Sequence, residues 1–511
     1  MRLTYALPLG FLLGVTAMLP AAPAFAQAQS GQAPIRQRPA AQPARVAQAG
    51  PAAAAKPAPP APTSSPAAAT GPRTLQEALA AAYSNNPGLQ AARAKLRATD
   101  ESVPQALAGW RPTVVLSGNT GYADGISRIR SGGVWRKNEA TRDVAVGQAT
   151  LTQPLYRGGR TRSSTNQAEN KVMAERARLI AAEQQVFTDT VNAYVSVIQT
   201  SQILALNVNN EQVLRRQLQA TNDRFRVGEI TRTDVAQAEA ALASATALRQ
   251  TAEGNLAVAR ATYARVVGAE PGELVPPQPL RLPVKTLQDA VGMAATNNPT
   301  VVAALFDDAA AKDAVDVAFS ALMPQISLSA SGTTTNNSLQ PHTSANGGQV
   351  LATLSVPLYQ GGAEHSGVRQ ARQTQQQTRK QVDDARRSAI QLATQAWATL
   401  DSARATVEST RTAIRANRIA LEGVTREALV GSRTTLDVLN AQQAVLNSEV
   451  TLVQNLASLL VASHSVTAAL GRLTARDLNL AVPLYDETAY YEAVRDRWAG
   501  TGDFATGQPG R

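Results

Sequence analysis

The stretch "VLATLSVPLYQGG", Val350 to Gly362, holds two kinds of order and the joint between them. Val350, Ala352, Leu354 and Val356 recur at every second residue, so one face is apolar, as in a half-buried β-strand. Pro357 withholds a ladder donor and is expected to end the strand. Gly361 and Gly362 allow backbone angles closed to other residues. Beyond them the period changes. Ala393, Leu400, Val407, Ile414 and Leu421 fall at strict sevens. That spacing keeps one helix seam against a partner and favours left-handed supercoiling. No Pro interrupts Glu364 to Glu427, and a helix of about 65 residues is roughly 100 Å long. A compact domain has no use for such a rod.

The same joint occurs earlier as "LTQPLYRGG", Leu151 to Gly159, with Pro154, Gly158 and Gly159 in the matching places. "TLQEALAAAYSNNP" (Thr74–Pro87) returns as "TLQDAVGMAATNNP" (Thr286–Pro299), 212 residues later. Pro154 to Pro357, Gly228 to Gly431 and Asp234 to Asp437 are each 203 apart. The offset changes once, between Pro112/Pro324 and Pro154/Pro357, and then holds to Gly268/Gly471. The chain is a duplicated unit, each copy reading helix, strand, loop, strand, long helix, turn, helix. The copies are placed at 73–272 and 273–475. Strands are expected at about 113–122 and 143–154, then 325–333 and 349–357. Each is roughly ten residues, the length of a tilted membrane strand. The loop from Ala123 to Arg142 absorbs the nine extra residues and is expected at the surface. The two shorter helical parts of each copy, stacked end to end, match the long helix beside them.

Residues 1–26 follow the charged, apolar, small-residue order of a secretory signal peptide, with cleavage expected after Ala26. That run is too short to span a membrane, and the sequence offers no later helix apolar enough, so any crossing is expected to be β. Residues 27–72 are a Pro-, Ala- and Gln-rich linker, expected to be disordered. Arg36, Arg38, Arg45 and Lys56 lie there without an acid, supplying four of the formal +11 charges. The positive balance is partly a tail property, and no basic, aromatic-rich face argues for nucleic acid. The chain has no Cys, hence neither disulfides nor an acylated cysteine.

Its three histidines, His342, His365 and His464, have no metal-ligand partner at useful spacing. No phosphate loop or Gly-x-Ser-x-Gly nucleophile elbow occurs. No enzyme, cofactor or metal is expected, so energy for any transport comes from a partner. His464 reads as a seam residue.

Four strands cannot stand open in hydrocarbon, so the sheet must close by using several copies. Two copies make a barrel of eight strands, filled by its own side chains; three make twelve, wide enough for a lumen. The expected fold is therefore mixed α/β: a long coiled-coil helical barrel continued by a transmembrane antiparallel β-barrel, closed across protomers with four strands per chain. The rivals are an exported structural coiled-coil protein and a helical pore-forming toxin.

The duplicated "PLYxGG", "TLQEALAAAYSNNP", "RFRVGEITRTDVAQAEA" and "VGSRTTLDVLNAQQ" resemble the TolC-type outer membrane factors, the exit ducts of type I secretion and multidrug efflux in Gram-negative bacteria. The resemblance covers about residues 73–475. It implies a homotrimer with a twelve-stranded barrel in the outer membrane and a twelve-helix tunnel in the periplasm. It implies docking to a periplasmic adaptor (membrane fusion protein) and an inner-membrane ABC or RND transporter. The missing N-terminal Cys leans toward the secretion-type members. Cargo is not legible, and the tail 476–511 shows only weak helical signal around Glu487–Trp498.

The turns "RVGEITRTD" and "VGSRTTLD" read locally as helix starts. Thr231 with Asp234, and Thr434 with Asp437, have Thr followed three residues later by an acid, the capping-box pattern. The resemblance adds a periplasmic gate. Arg433 and Asp437 match the family's locking Arg and first Asp, and Thr233 and Asp234 match partners on the first coil. Asn440 stands where a second acid is common, and Ala428 where a lock Tyr is expected. A ring of carboxylates there would bind cations, and Asn440 halves its charge.

Overall fold

The computed structural model describes residues 71–338, 342–502 and 504. The expected signal segment and nearly all of the linker lie outside them. The first half runs α1 (Leu75–Asn85), α2 (Pro87–Asp100), α3 (Ser102–Leu107), β1 (Thr113–Ser131), β2 (Val134–Arg157), α4 (Arg160–Arg226) and α5 (Arg232–Val267). The second runs α6 (Leu287–Asn297), α7 (Pro299–Phe319), β3 (Gln325–Asn336), β4 (Ser344–Ser355), α8 (Ala363–Leu429) and α9 (Thr435–Ala469). A short α10 (Ala489–Val494) follows. Helices α4 and α8 are 67 residues each, or about 100 Å.

A single carboxamide joins the shorter helices in each half. The Asn86 Oδ1 accepts from Gly88 N–H (2.9 Å) and Leu89 N–H (3.3 Å), capping α2. Its Nδ2 donates to the Val266 carbonyl in the last turn of α5 (3.0 Å). Asn298 repeats the device, accepting from Thr300 N–H (3.0 Å) and donating to Ala469 O (3.2 Å). Groups that would be orphans at two helix ends are satisfied by one side chain. Gly471, at φ +77°, closes the same junction, where a Cβ would lie 2.6 Å from the Asn297 carbonyl oxygen. The stacked halves then run beside α4 and α8. The seam residues Ala393, Leu400, Val407 and Ile414 are buried, as their spacing predicts.

The main core lies where the first helices cross α4, with Leu79, Tyr83, Leu96, Phe187, Tyr194 and Tyr263 buried together. The tail closes over it. Arg93, 1% exposed, lies between the rings of Tyr83 and Tyr485 and donates to the Tyr83 carbonyl (3.2 Å). Tyr485 N–H donates to the Tyr83 hydroxyl (3.0 Å), and Arg111 Nη1 to the Arg497 carbonyl (2.5 Å).

The strands form one antiparallel sheet in the order β1-β2-β3-β4. Three expectations are corrected here. The first hairpin does not loop out from Ala123 to Arg142; its ladder continues to Ser131 opposite Val134. The extra residues are absorbed by pairing, because Ile126, Ile129, Val134 and Trp135 are good strand formers. The second hairpin shifts likewise, to Gln325–Asn336 and Ser344–Ser355. Pro154 does not end β2. It pairs with Ser327, the register slips before Tyr156, and the ladder reaches Arg157 opposite Gln325. Pro154 lies past the last β1 pair, Thr113 with Thr152, so one side of β2 is already free of ladder bonds there. β4 does end before Pro357. The third correction concerns α9, which is long and apolar enough to cross a membrane by length and composition. It runs as the coil partner of α8.

Replacing Asn298 by Ala removes a cap and strands a carbonyl, and is expected to cost about 1–3 kcal/mol. Denaturant unfolding of wild type and variant checks this, and Asn86→Ala should behave alike.

Candidate functional site at the helical turns

The two long helices end in the same way. Val227 and Val430 leave the helix, and Gly228 (φ +76°) and Gly431 (φ +80°) take the left-handed conformation that reverses the chain. Glu229 N–H donates to the Arg224 carbonyl and Ser432 N–H to the Glu427 carbonyl, both at 3.0 Å. Thr231 and Thr434 then start α5 and α9. Asp234 N–H donates to Thr231 Oγ1 (3.3 Å), and Thr231 N–H to Asp234 Oδ2 (3.0 Å). Asp437 and Thr434 repeat this reciprocal pair at 3.3 Å and 3.0 Å. The capping box expected for each turn is present.

These bonds favour the charged carboxylates. The Thr434 backbone N–H, with its hydroxyl, holds Asp437 below the usual carboxylate range. For Asp234 the Thr231 hydroxyl is the leading cause, with its N–H next.

Within the chain both turn arginines pair with a glutamate of their own turn. Arg433 Nε donates to Glu427 Oε2 at 2.9 Å. Glu427 is the chief reason its guanidinium is held more basic than usual, ahead of the charge of Asp437. Within the chain Arg433 therefore belongs to Glu427, while Asp437 belongs to Thr434. In the first turn Arg224 pairs with Glu229. Arg224 and Glu427 are 203 residues apart, so the two copies carry opposite charges at one equivalent position. Glu427 was not singled out from sequence, although aligning the copies would have exposed the reversal. Thr233 and Asn440 are exposed beside these turns.

At the other end of each long helix, Gly159 and Gly362 are the N-caps of α4 and α8 at φ +82° and +84°. Gly158 and Gly361 precede them at φ +60° and +69°. A Cβ on Gly158 would lie 2.4 Å from Met323 Cβ, whereas Gly361 faces open space. The first joint is therefore covered by the second repeat, and the second joint is bare. His464 is buried, and its Nδ1 lies 2.8 Å from the Leu460 carbonyl. Burial keeps its pKa below the usual value. Among the described residues no three His, Asp or Glu side chains converge as a metal site.

The family model for outer membrane efflux proteins matches the chain twice, over residues 78–269 and 290–472. The outer membrane efflux protein BepC of Brucella suis biovar 1 (strain 1330) is 36% identical over 428 residues, 84% of this chain and 91% of BepC. The outer membrane protein TolC of Escherichia coli (strain K12) is 24% identical, over 77% of this chain and 81% of TolC. The solved structure of the outer membrane protein VceC from Vibrio cholerae superposes with a TM-score of 0.66 at 20% identity, covering 78% of this chain and 96% of VceC. The fold and its doubled turns define an outer membrane channel protein. The chain belongs to the outer membrane efflux protein family, and its place is the outer membrane.

Because the folded state lowers the pKa of Asp437, the stabilisation it gives is complete above the ordinary carboxylate pKa of about 4. It is lost as pH falls through the lower folded value. Amide exchange at Leu436–Leu439, corrected for intrinsic rate, should lose protection over that window, and Asp437→Asn should flatten the profile.

Proposed function

We propose that this chain is the exit duct of a tripartite export system, a passive channel for type I secretion or multidrug efflux. It works as a homotrimer, opened at the Gly228 and Gly431 turns by a periplasmic adaptor and an inner-membrane ABC or RND transporter. One observation carries this reading: a sheet of four strands with both edges open, continued by rods of about 100 Å. Exposed Val114, Leu116, Val350 and Leu354 on that sheet need lipid or another copy to cover them, and three copies close twelve strands around a lumen.

The chain supplies a template for its own closure. Within it, β2 of the first repeat pairs with β3 of the second. Carrying that register through the 203- and 212-residue offsets sets β4 beside β1 of the next copy. Ala149 opposite Gly332 becomes Ala352 opposite Thr120 of the partner subunit. The bare joint at Gly361 is then covered by the neighbour, as Gly158 is covered within the chain.

The absence of Cys makes this directly measurable. Ala352→Cys with Thr120→Cys should form a disulfide-linked, heat-sensitive oligomer in the outer-membrane fraction on an unboiled SDS gel. Thr353→Cys with Thr120→Cys is slipped by one residue, points to opposite faces, and should not link. A soluble monomer would refute the duct and favour the rival coiled-coil or toxin readings.

In the gate, Arg433 is shared between Glu427 of its own turn and an acid of a neighbouring coil, Asp437 or Asp234. Exposed ion pairs are individually weak, which suits an entrance that a docking partner opens. Arg433→Ala should raise single-channel conductance severalfold, and Asp437→Ala should do so less. Glu427→Gln, which releases Arg433 to the neighbour, should lower it. Unchanged conductance in all three leaves the Asp residues as helix caps only.

A further inference from the structure

The two hairpins of the sheet have equivalent roots and unlike tips. From Gly332 to Gln349 the second has no charged residue. The first continues beyond it: Asn336, the last β3 residue in the ladder, pairs with Ala145, and the first hairpin extends to Ser131 opposite Val134. Between Ser127 and Asn138 it carries Arg128, Arg130, Arg136 and Lys137 and no acid. Barrel closure therefore does not require this charge, since the second repeat closes without it.

The placement is unfavourable for the chain alone. Arg128 stands directly opposite Lys137, and like charges opposed across strands are destabilising. Lys137 reaches an acid at Glu139 (2.7 Å). Arg130 donates to the Gly133 carbonyl (3.4 Å), so it meets no carboxylate there. Trp135 pairs with Arg130 on the same face as Arg128 and Lys137 and is 65% exposed. With β4 of a neighbour beside β1 as far as Arg128, the tip still stands clear. Copies of one basic tip around a barrel mouth repel each other, so a second copy is a poor occupant. The tip points away from the helices, because both hairpin roots join helical segments. It begins six residues past Tyr122, which is exposed on the same face of β1 as Val114 and Leu116, or about 20 Å along the strand.

We propose that this tip docks on the phosphate groups of the outer-leaflet glycolipid. Arg128, Arg130 and Lys137, on the face of Trp135, bind the phosphates; Arg136, opposite Ile129 on the other face, adds its charge, and Trp135 sits at the interface. The inference rests on the outer-membrane duct reading, which places lipid only against the apolar faces of the strands, and adds a contact to a charged headgroup.

The test uses the purified oligomer and vesicles containing an acylated glucosamine disaccharide with two phosphates, against the same vesicles with the dephosphorylated lipid. Wild type should prefer the phosphorylated vesicles by on the order of a hundredfold, less at high salt. The fourfold Gln variant at the four basic positions should lose that preference. The variant with Lys at the three Arg positions should keep most of it. An oligomer of unchanged conductance that binds both vesicles alike, or a Gln variant that binds like wild type, overturns the inference alone. A Gln variant that changes only the passage of anionic solutes overturns it too. Absence of any outer-membrane oligomer overturns the duct reading beneath it.

Discussion

The walls of this molecule depend on two side-chain amides. A 67-residue helix exposes a long apolar seam, and neither short helix of a repeat can cover it alone. Asn86 and Asn298 remove the break. Each caps the helix that follows it with its oxygen and the C-terminal end of its repeat's last helix, α5 or α9, with its nitrogen. The stacked pair then offers the long helix a partner on both sides of the junction, and the seam is buried where the spacing of seven requires. Without that junction, five backbone groups would need other partners at mid-wall. The tail supports the same level, with Arg93 held between Tyr83 and Tyr485.

The far turns follow the opposite principle. Nothing there is deeply buried, and every ion pair is exposed. Reciprocal caps built on Asp234 and Asp437 keep the turns in shape, so Arg224, Glu229, Glu427 and Arg433 can change partners without removing a cap. The reversal between Arg224 and Glu427 makes the two turns electrically unlike although their backbones agree. A strictly repeated sequence would not provide that difference.

The duplication was legible as matching residues at fixed offsets of 203 and 212, and the joints, the left-handed glycines and both capping boxes because each depends on residues within a few positions of one another. Thr434 and Asp437 specify their own geometry. The strand limits differ from expectation for a related reason. Pro154 forbids a donor at its own nitrogen, but whether that ends a strand depends on what lies beside it, and its β1 neighbour had already stopped. The resemblance expects Arg433 to link a neighbouring coil, and within the chain its guanidinium reaches Glu427, six residues earlier across the turn.

The repeat is written along the chain as matching residues at fixed offsets; the change of period from two to seven at Gly361–Gly362 and the residues that turn and cap each helix are written locally. The latter follow from local sterics and hydrogen bonding, which travel with the chain. Packing, by contrast, sets Asn86 and Asn298 between separate helices, covers the first joint while leaving the second bare, and carries the first hairpin as a ladder past the second. Those outcomes turn on which groups, distant in sequence, arrive within bonding or contact distance, and no local period records that.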